Sequence, residues 1–148
     1  MKTTLIQDIS EHFMGLMPLL SQHIFQPPGQ DEMPLHLTPT NALLLLIVNE
    51  MNRSTISVLS QKMCVSRPNM TPLVDKLVQF ELVNRIPSVS DRRVNFIEIT
   101  PKGRLVCKEM HQIHSAKIEK KLDVLELDTL TELNLHLSKL KAILHKLE

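Results

Sequence analysis

The chain of 148 residues has no tryptophan, no tyrosine, four phenylalanines, three glycines and two cysteines. Modules that hold single strands or RNA by stacking bases on aromatic platforms need rings that this composition lacks. Glycines at 15, 29 and 103 alone cannot build a glycine-rich phosphate loop, which excludes nucleotide-binding folds of that kind. Cys64 and Cys107 are too few for a disulfide framework. The longest purely apolar run, Ala42–Val48, is far short of the roughly 20 residues that span a bilayer. The amino end, Met1-Lys2-Thr3-Thr4, has no secretory apolar core. A soluble, cytoplasmic protein is expected. No nucleophile–base spacing and no acid pair in a recognisable frame is present, so the chain does not read as an enzyme, and no cofactor or metal is expected.

The length suits one domain, or one domain with appended helices. Hydrophobic residues are 43% and charged residues 22%, enough for a packed core. The net charge is +1 but unevenly spread: Arg53 to Arg93 holds seven Lys/Arg against three Asp/Glu, and the remainder ten against thirteen. A basic middle between mildly acidic ends fits a localised nucleic-acid footprint, although ordinary charge scatter produces moderate imbalances too.

Along the chain, Ile6, Ile9, Phe13, Leu16 or Met17, Leu20 and Ile24 recur at helical spacing and predict a helix over Leu5–Ile24, kinked at Pro18. Gln26 to Pro39 is a proline-rich connector. Thr38 caps a second helix, Pro39–Met51, with proline at its first position; it is apolar nearly all round and should be central to the core. Thr55 caps a short third helix to about Met63. Cys64-Val65 form a turn in which a small buried side chain is expected. Ser66 caps a fourth helix, Arg67 to about Phe80, with Val74, Leu77 and Val78 facing inward. Two helices joined by a tight turn, the second with a polar cationic outer face, make the helix-turn-helix pattern. Leu82–Pro87 and Asn95–Thr100 then form a hairpin with Asp91-Arg92-Arg93 at its tip. Thr100-Pro101 opens a helix to about Val124. A last helix, Asp128 to Leu147, carries Leu130, Leu133, Leu137, Leu140, Leu144 and Leu147 in a 3-4-3-4-3 step, a heptad seam suited to helix–helix association between chains. Packing within one chain is the alternative, but six leucines on a terminal helix are hard to bury twice in so small a domain.

This order of elements resembles the MarR family of winged helix-turn-helix transcriptional regulators, over almost the whole chain. The resemblance is most specific in Val65-Ser66-Arg67-Pro68-Asn69-Met70-Thr71-Pro72-Leu73-Val74-Asp75-Lys76-Leu77, then Leu82-Val83-Asn84-Arg85, Ser90-Asp91-Arg92-Arg93 and Ile99-Thr100-Pro101-Lys102-Gly103. It implies a mainly α fold with a small β-hairpin wing (α+β): a winged helix-turn-helix lobe at 38–100, with dimerisation helices at 1–26 and 101–148 of a single domain. Two departures stand out. Glu81 occupies a place where the family usually has glycine, which predicts a less sharp helix end. Pro72 lies inside the fourth helix and should bend or loosen its first turns.

The residues themselves supply a contact set for double-stranded DNA. Ser66, Arg67, Asn69 and Thr71 begin the fourth helix, where base edges and phosphates would be met. Arg67 suits a bidentate pair with guanine and Asn69 with adenine; helix capping is the plainer role for Ser66 and Asn69. Lys76 and Ser57 are candidates for phosphate, with an ordinary solvated lysine as the alternative for Lys76. At the wing, Arg93 is the first candidate for the minor groove, with Arg92 on the backbone or bracing the loop. The resemblance implies that Asp91 holds Arg93 in place. A homodimer on a pseudo-palindrome is expected, because one helix reads too few base pairs; Ile6, Ile9, Leu130, Leu133, Leu137, Leu140 and Leu144 are the interface candidates.

The resemblance also implies a small apolar or phenolic effector, for which Phe13, Met17 and Met51 are candidates, with plain core packing as the alternative. Repression is the expected mode, since promoter occupancy alone can produce it. Other readings are a winged-helix protein-interaction module without DNA binding, a redox-responsive member using Cys64 or Cys107, and a metal-responsive one using His111 and His114 with His12, His23 or His36.

Overall fold

The computed structural model describes residues 1–25, 29, 32–89 and 94–147. Its elements are helices α1 (Lys2–His23), α2 (Pro39–Met51), α3 (Ile56–Met63), α4 (Arg67–Gln79), α5 (Pro101–Leu122) and α6 (Leu127–Leu144), and strands β1 (Arg53–Thr55), β2 (Val83–Pro87) and β3 (Asn95–Ile99). The chain divides into two compact units, 27–114 and 1–26 with 115–148. No helix among the described residues is long and apolar enough to cross a membrane.

The 27–114 unit is built on caps and one core. The Thr38 hydroxyl accepts from Asn41 N at 3.2 Å, and Pro39 fills the first helical position of α2, so the expected boundaries hold. Thr55 caps α3 in the same way, accepting from Val58 N at 3.4 Å. Leu44, Leu45 and Val48 of α2, Leu59 of α3, and Met70, Val74 and Leu77 of α4 are wholly buried, together with Leu82, Val83 and Ile97. Val106, Cys107 and Met110 of α5 close this core. Helix α2 is less uniformly buried than its sequence suggests: Leu43 is 51% and Leu46 40% exposed. The inward positions of α4 are Met70, Val74 and Leu77, which step 4 and 3 along one stripe. Val78 lies just off that stripe and is exposed, contrary to expectation.

A third strand joins the hairpin. The sheet order is β1-β3-β2, all antiparallel, with Ser54 opposite Ile97 and Arg85 also opposite Ile97. Strand β1 was not expected, nor was the burial of Met33 and Leu37 in the proline-rich connector. The hairpin is closed towards its tip by Ser88 N donating to Val94 O at 2.9 Å.

The end of α4 is sharper than expected. Glu81 takes a left-handed φ of 62. Glu81 N donates to Val78 O at 2.8 Å and Leu82 N to Leu77 O at 2.9 Å, the paired bonds of a Schellman cap. Glu81 fills the glycine position because its surroundings hold it there. Thr100 Oγ1 donates to its carbonyl at 2.8 Å, and Lys102 Nζ pairs with its carboxylate at 2.9 Å. That ammonium, as hydrogen-bond donor and then as charge, holds the Glu81 carboxyl below its ordinary value.

In the other unit, α1 runs unbroken through Pro18, and α6 ends at Leu144, so Leu147 falls beyond the helix. Helix α5 ends at Leu122, two residues short of the expected Val124. Among the described residues, neither α1 nor α6 contains a buried one.

Candidate nucleic-acid interface

The turn between α3 and α4 sets the angle of the second helix. Cys64 takes a left-handed φ of 53, and Val65 N donates to Ser60 O at 3.0 Å, closing α3 and reversing the chain. That backbone turns the Cys64 side chain outward: the thiol is exposed, not buried as the sequence suggested. Ser66 then takes an extended backbone with φ −63 and ψ 150, and Met70 N donates to its carbonyl at 2.9 Å to start α4. Ser66 stands at the N-cap position but its hydroxyl makes no cap bond, so that part of the expectation is corrected and the hydroxyl is left for an outside acceptor.

Ser66, Arg67, Asn69 and Thr71 are all exposed on the first turns of α4. The Arg67 guanidinium forms no ion pair among the described residues. Thr71 Oγ1 donates to Arg67 O at 3.3 Å, a weak bond on the helix itself that a stronger acceptor can displace. Lys76 is exposed with its ammonium over the Phe80 ring, 4.7 Å from the centroid. Ser57, in the first turn of α3, is half-buried. Asp91, Arg92 and Arg93 lie outside the described residues.

The structure adds three features that the sequence did not reveal. Asp75 on α4 and Arg85 on β2 form an ion pair at 2.6 Å, so Arg85 ties the helix to the wing instead of offering a free charge. Arg53 on β1 lies over the Phe96 ring at 4.1 Å. Asn41 on α2, 5% exposed, donates from Nδ2 to Leu73 O of α4 at 3.1 Å and accepts from Thr38 Oγ1 at 2.8 Å. Each joins partners on different elements, ten or more residues apart, where local pattern carries no signal.

In the other unit, Ile9, His12, Phe13, Leu16 and Leu140 line a pocket of about 230 Å³. Of the effector candidates, Phe13 is therefore in a pocket, Met17 is on the same helix and 60% exposed, and Met51 is half-buried in the 27–114 unit. Among the described residues no three His, Cys, Asp or Glu side chains come together as a metal site.

A short helix, a tight turn, a second helix with a polar outer face and an antiparallel hairpin beside it define a winged helix-turn-helix protein. The comparisons with known proteins agree. The MarR family profile matches residues 37–94. The HTH-type transcriptional regulator MhqR of Bacillus subtilis (strain 168) is 32% identical over 100 residues, covering 66% of this chain and 69% of that protein. Two solved structures share the fold at 20% identity: transcriptional regulator Tm0710 from Thermotoga maritima, with a TM-score of 0.72 over 95% of this chain and 96% of that one, and YusO from Bacillus subtilis, with 0.68 over 96% and 98%. The chain belongs to the MarR family: it is a DNA-binding transcriptional regulator, not an enzyme.

Proposed function

We propose that this regulator acts as a homodimer on a pseudo-palindromic duplex site and represses by occupying it. The observation that carries the reading is the first two turns of α4, where Ser66, Arg67, Asn69 and Thr71 face solvent together. Arg67 and Asn69 read guanine and adenine edges in the major groove; Ser66, Ser57 and Lys76 meet phosphates; Arg93, steadied by Asp91 and flanked by Arg92, enters the minor groove. The 38–100 lobe does the reading, and the helices of 1–26 and 101–148 pair the subunits. Ile6, Ile9, Leu130, Leu133, Leu137, Leu140 and Leu144 supply the apolar seam. A small apolar effector at the Phe13 pocket would adjust affinity.

Selection of bound sequences from a random duplex pool tests this directly, and an inverted repeat is the expected product. On the selected duplex, Arg92→Ala with Arg93→Ala is expected to weaken binding by about ten- to a hundredfold and to flatten its salt dependence. A wild-type chain that enriches no sequence, or a double variant with unchanged affinity in a gel shift, would overturn the reading.

A further inference from the structure

The reading end of α4 carries two prolines. Pro68 costs little in the first turn, where its N–H would have no helical acceptor. Pro72 is different: it has no N–H to donate to the Pro68 carbonyl, so one rung of the helix is missing among the residues that face DNA. Helix α4 nevertheless runs unbroken from Arg67 to Gln79. The residue immediately after Pro72 is held from outside, by the Asn41 carboxamide on α2.

The chemistry of that contact has one solution. The Leu73 carbonyl only accepts, so the amide nitrogen of Asn41 must face it, at 3.1 Å. The amide oxygen then faces Thr38, whose hydroxyl donates to it at 2.8 Å while accepting from Asn41 N at 3.2 Å. Three bonds interlock, and Asn41 is 5% exposed, so water has little room to replace them.

We propose that Asn41 is a positioning residue for sequence reading, its amide fixing the height and rotation of the proline-bearing first turns of α4 against α2. The inference rests on the proposed reading of DNA by α4. Within α2 an aspartate keeps the acceptor for the Thr38 hydroxyl and, in the third helical position, is favoured by the helix dipole, against the cost of burying its charge. Aspartate in its ionised form has no donor for the Leu73 carbonyl, so Asn41→Asp separates the two roles.

The test compares affinity for the duplex selected by the full-length wild-type chain with affinity for a scrambled duplex of equal length and composition. Asn41→Asp is expected to lower the ratio of the two by about tenfold, the loss of one well-formed bond. Affinity for the scrambled duplex and the salt slope stay at wild-type values, because no phosphate-facing cation is touched. Val48→Ala, a cavity in the same helix, is the control; it should lower the thermal midpoint and leave the ratio unchanged. A wild-type ratio in Asn41→Asp, or an equal loss of ratio in Val48→Ala, overturns the proposal. Should Asn41→Asp fail to fold by circular dichroism, Asn41→Ala removes the donor without adding a charge, and the same two outcomes decide. Wild-type chain that binds neither duplex would instead overturn the function on which the proposal rests.

Discussion

Two thiols in this chain have opposite surroundings, and the difference follows from backbone and burial, not from residue type. Cys107 is buried on α5, and its Sγ donates to Leu45 O at 3.8 Å. Burial pushes the thiol up to about 11 from its ordinary 9.0, against a smaller opposing pull from the Arg104 guanidinium. The folded chain therefore holds this proton more tightly than the unfolded one. Its contribution to stability is complete below about pH 9.0 and is lost as pH rises through about 11. Cys64, turned outward by its left-handed backbone, is open to solvent. A disulfide-exchange reagent at pH 8 is expected to titrate one thiol rapidly in the native chain and the second only in denaturant. Cys64→Ser should abolish the rapid phase; two equally fast thiols in the native chain would refute the assignment.

Elements were legible in this sequence wherever a cap or a period marked them, and illegible where distant partners decided. Thr38-Pro39 and Thr100-Pro101 announce the starts of α2 and α5 because a hydroxyl followed by proline satisfies a helix beginning with local atoms alone. Strand β1 left no trace, since three residues carry no alternation and its partner Phe96–Glu98 lies far along the chain. The polar face of α4 could be read from its own residues, whereas the Asp75–Arg85 pair and the Asn41 tether could not. The start of α5 shows how closely such elements are fitted. Gly103 N donates to Thr100 Oγ1 at 2.9 Å. A Cβ added at Gly103 would overlap the Leu82 carbonyl and lie 2.6 Å from Ile99 Cδ1. Alanine gains about 1 kcal/mol of helix propensity over glycine. The Leu82 oxygen, however, is backbone held by Thr100 N at 3.0 Å and cannot swing aside. Overpacking of this kind costs about 1–3 kcal/mol, so Gly103→Ala is expected to be destabilising in urea unfolding; a variant as stable as wild type would show that the close approach is relaxed in solution.

For the whole molecule, the leucine seam of α6 poses the question of what covers it. Leu137 is 53% and Leu144 42% exposed in the single chain. With Leu140, Lys141 and His145 they line a groove of about 480 Å³. Helix α1 adds Ile6 and Ile9, 56% and 45% exposed. Apolar surface of this extent on two helices without a buried residue is what a two-fold partner would cover. Fully burying a leucine contributes about 1.5–3 kcal/mol, and about half of that is still to be gained at Leu137 and Leu144. A two-fold interface uses each residue twice, so these positions together supply roughly 4 kcal/mol, equivalent to about a thousandfold in the dimer dissociation constant. Leu137→Asp with Leu144→Asp removes that gain and adds carboxylates that resist desolvation. Sedimentation equilibrium is then expected to show a dimer for the wild type and a monomer for the double variant at the same concentration. Affinity for a two-half-site duplex should fall with it, because each monomer must bind its half-site unaided. A double variant that sediments as wild type would exclude the α6 seam as the pairing surface.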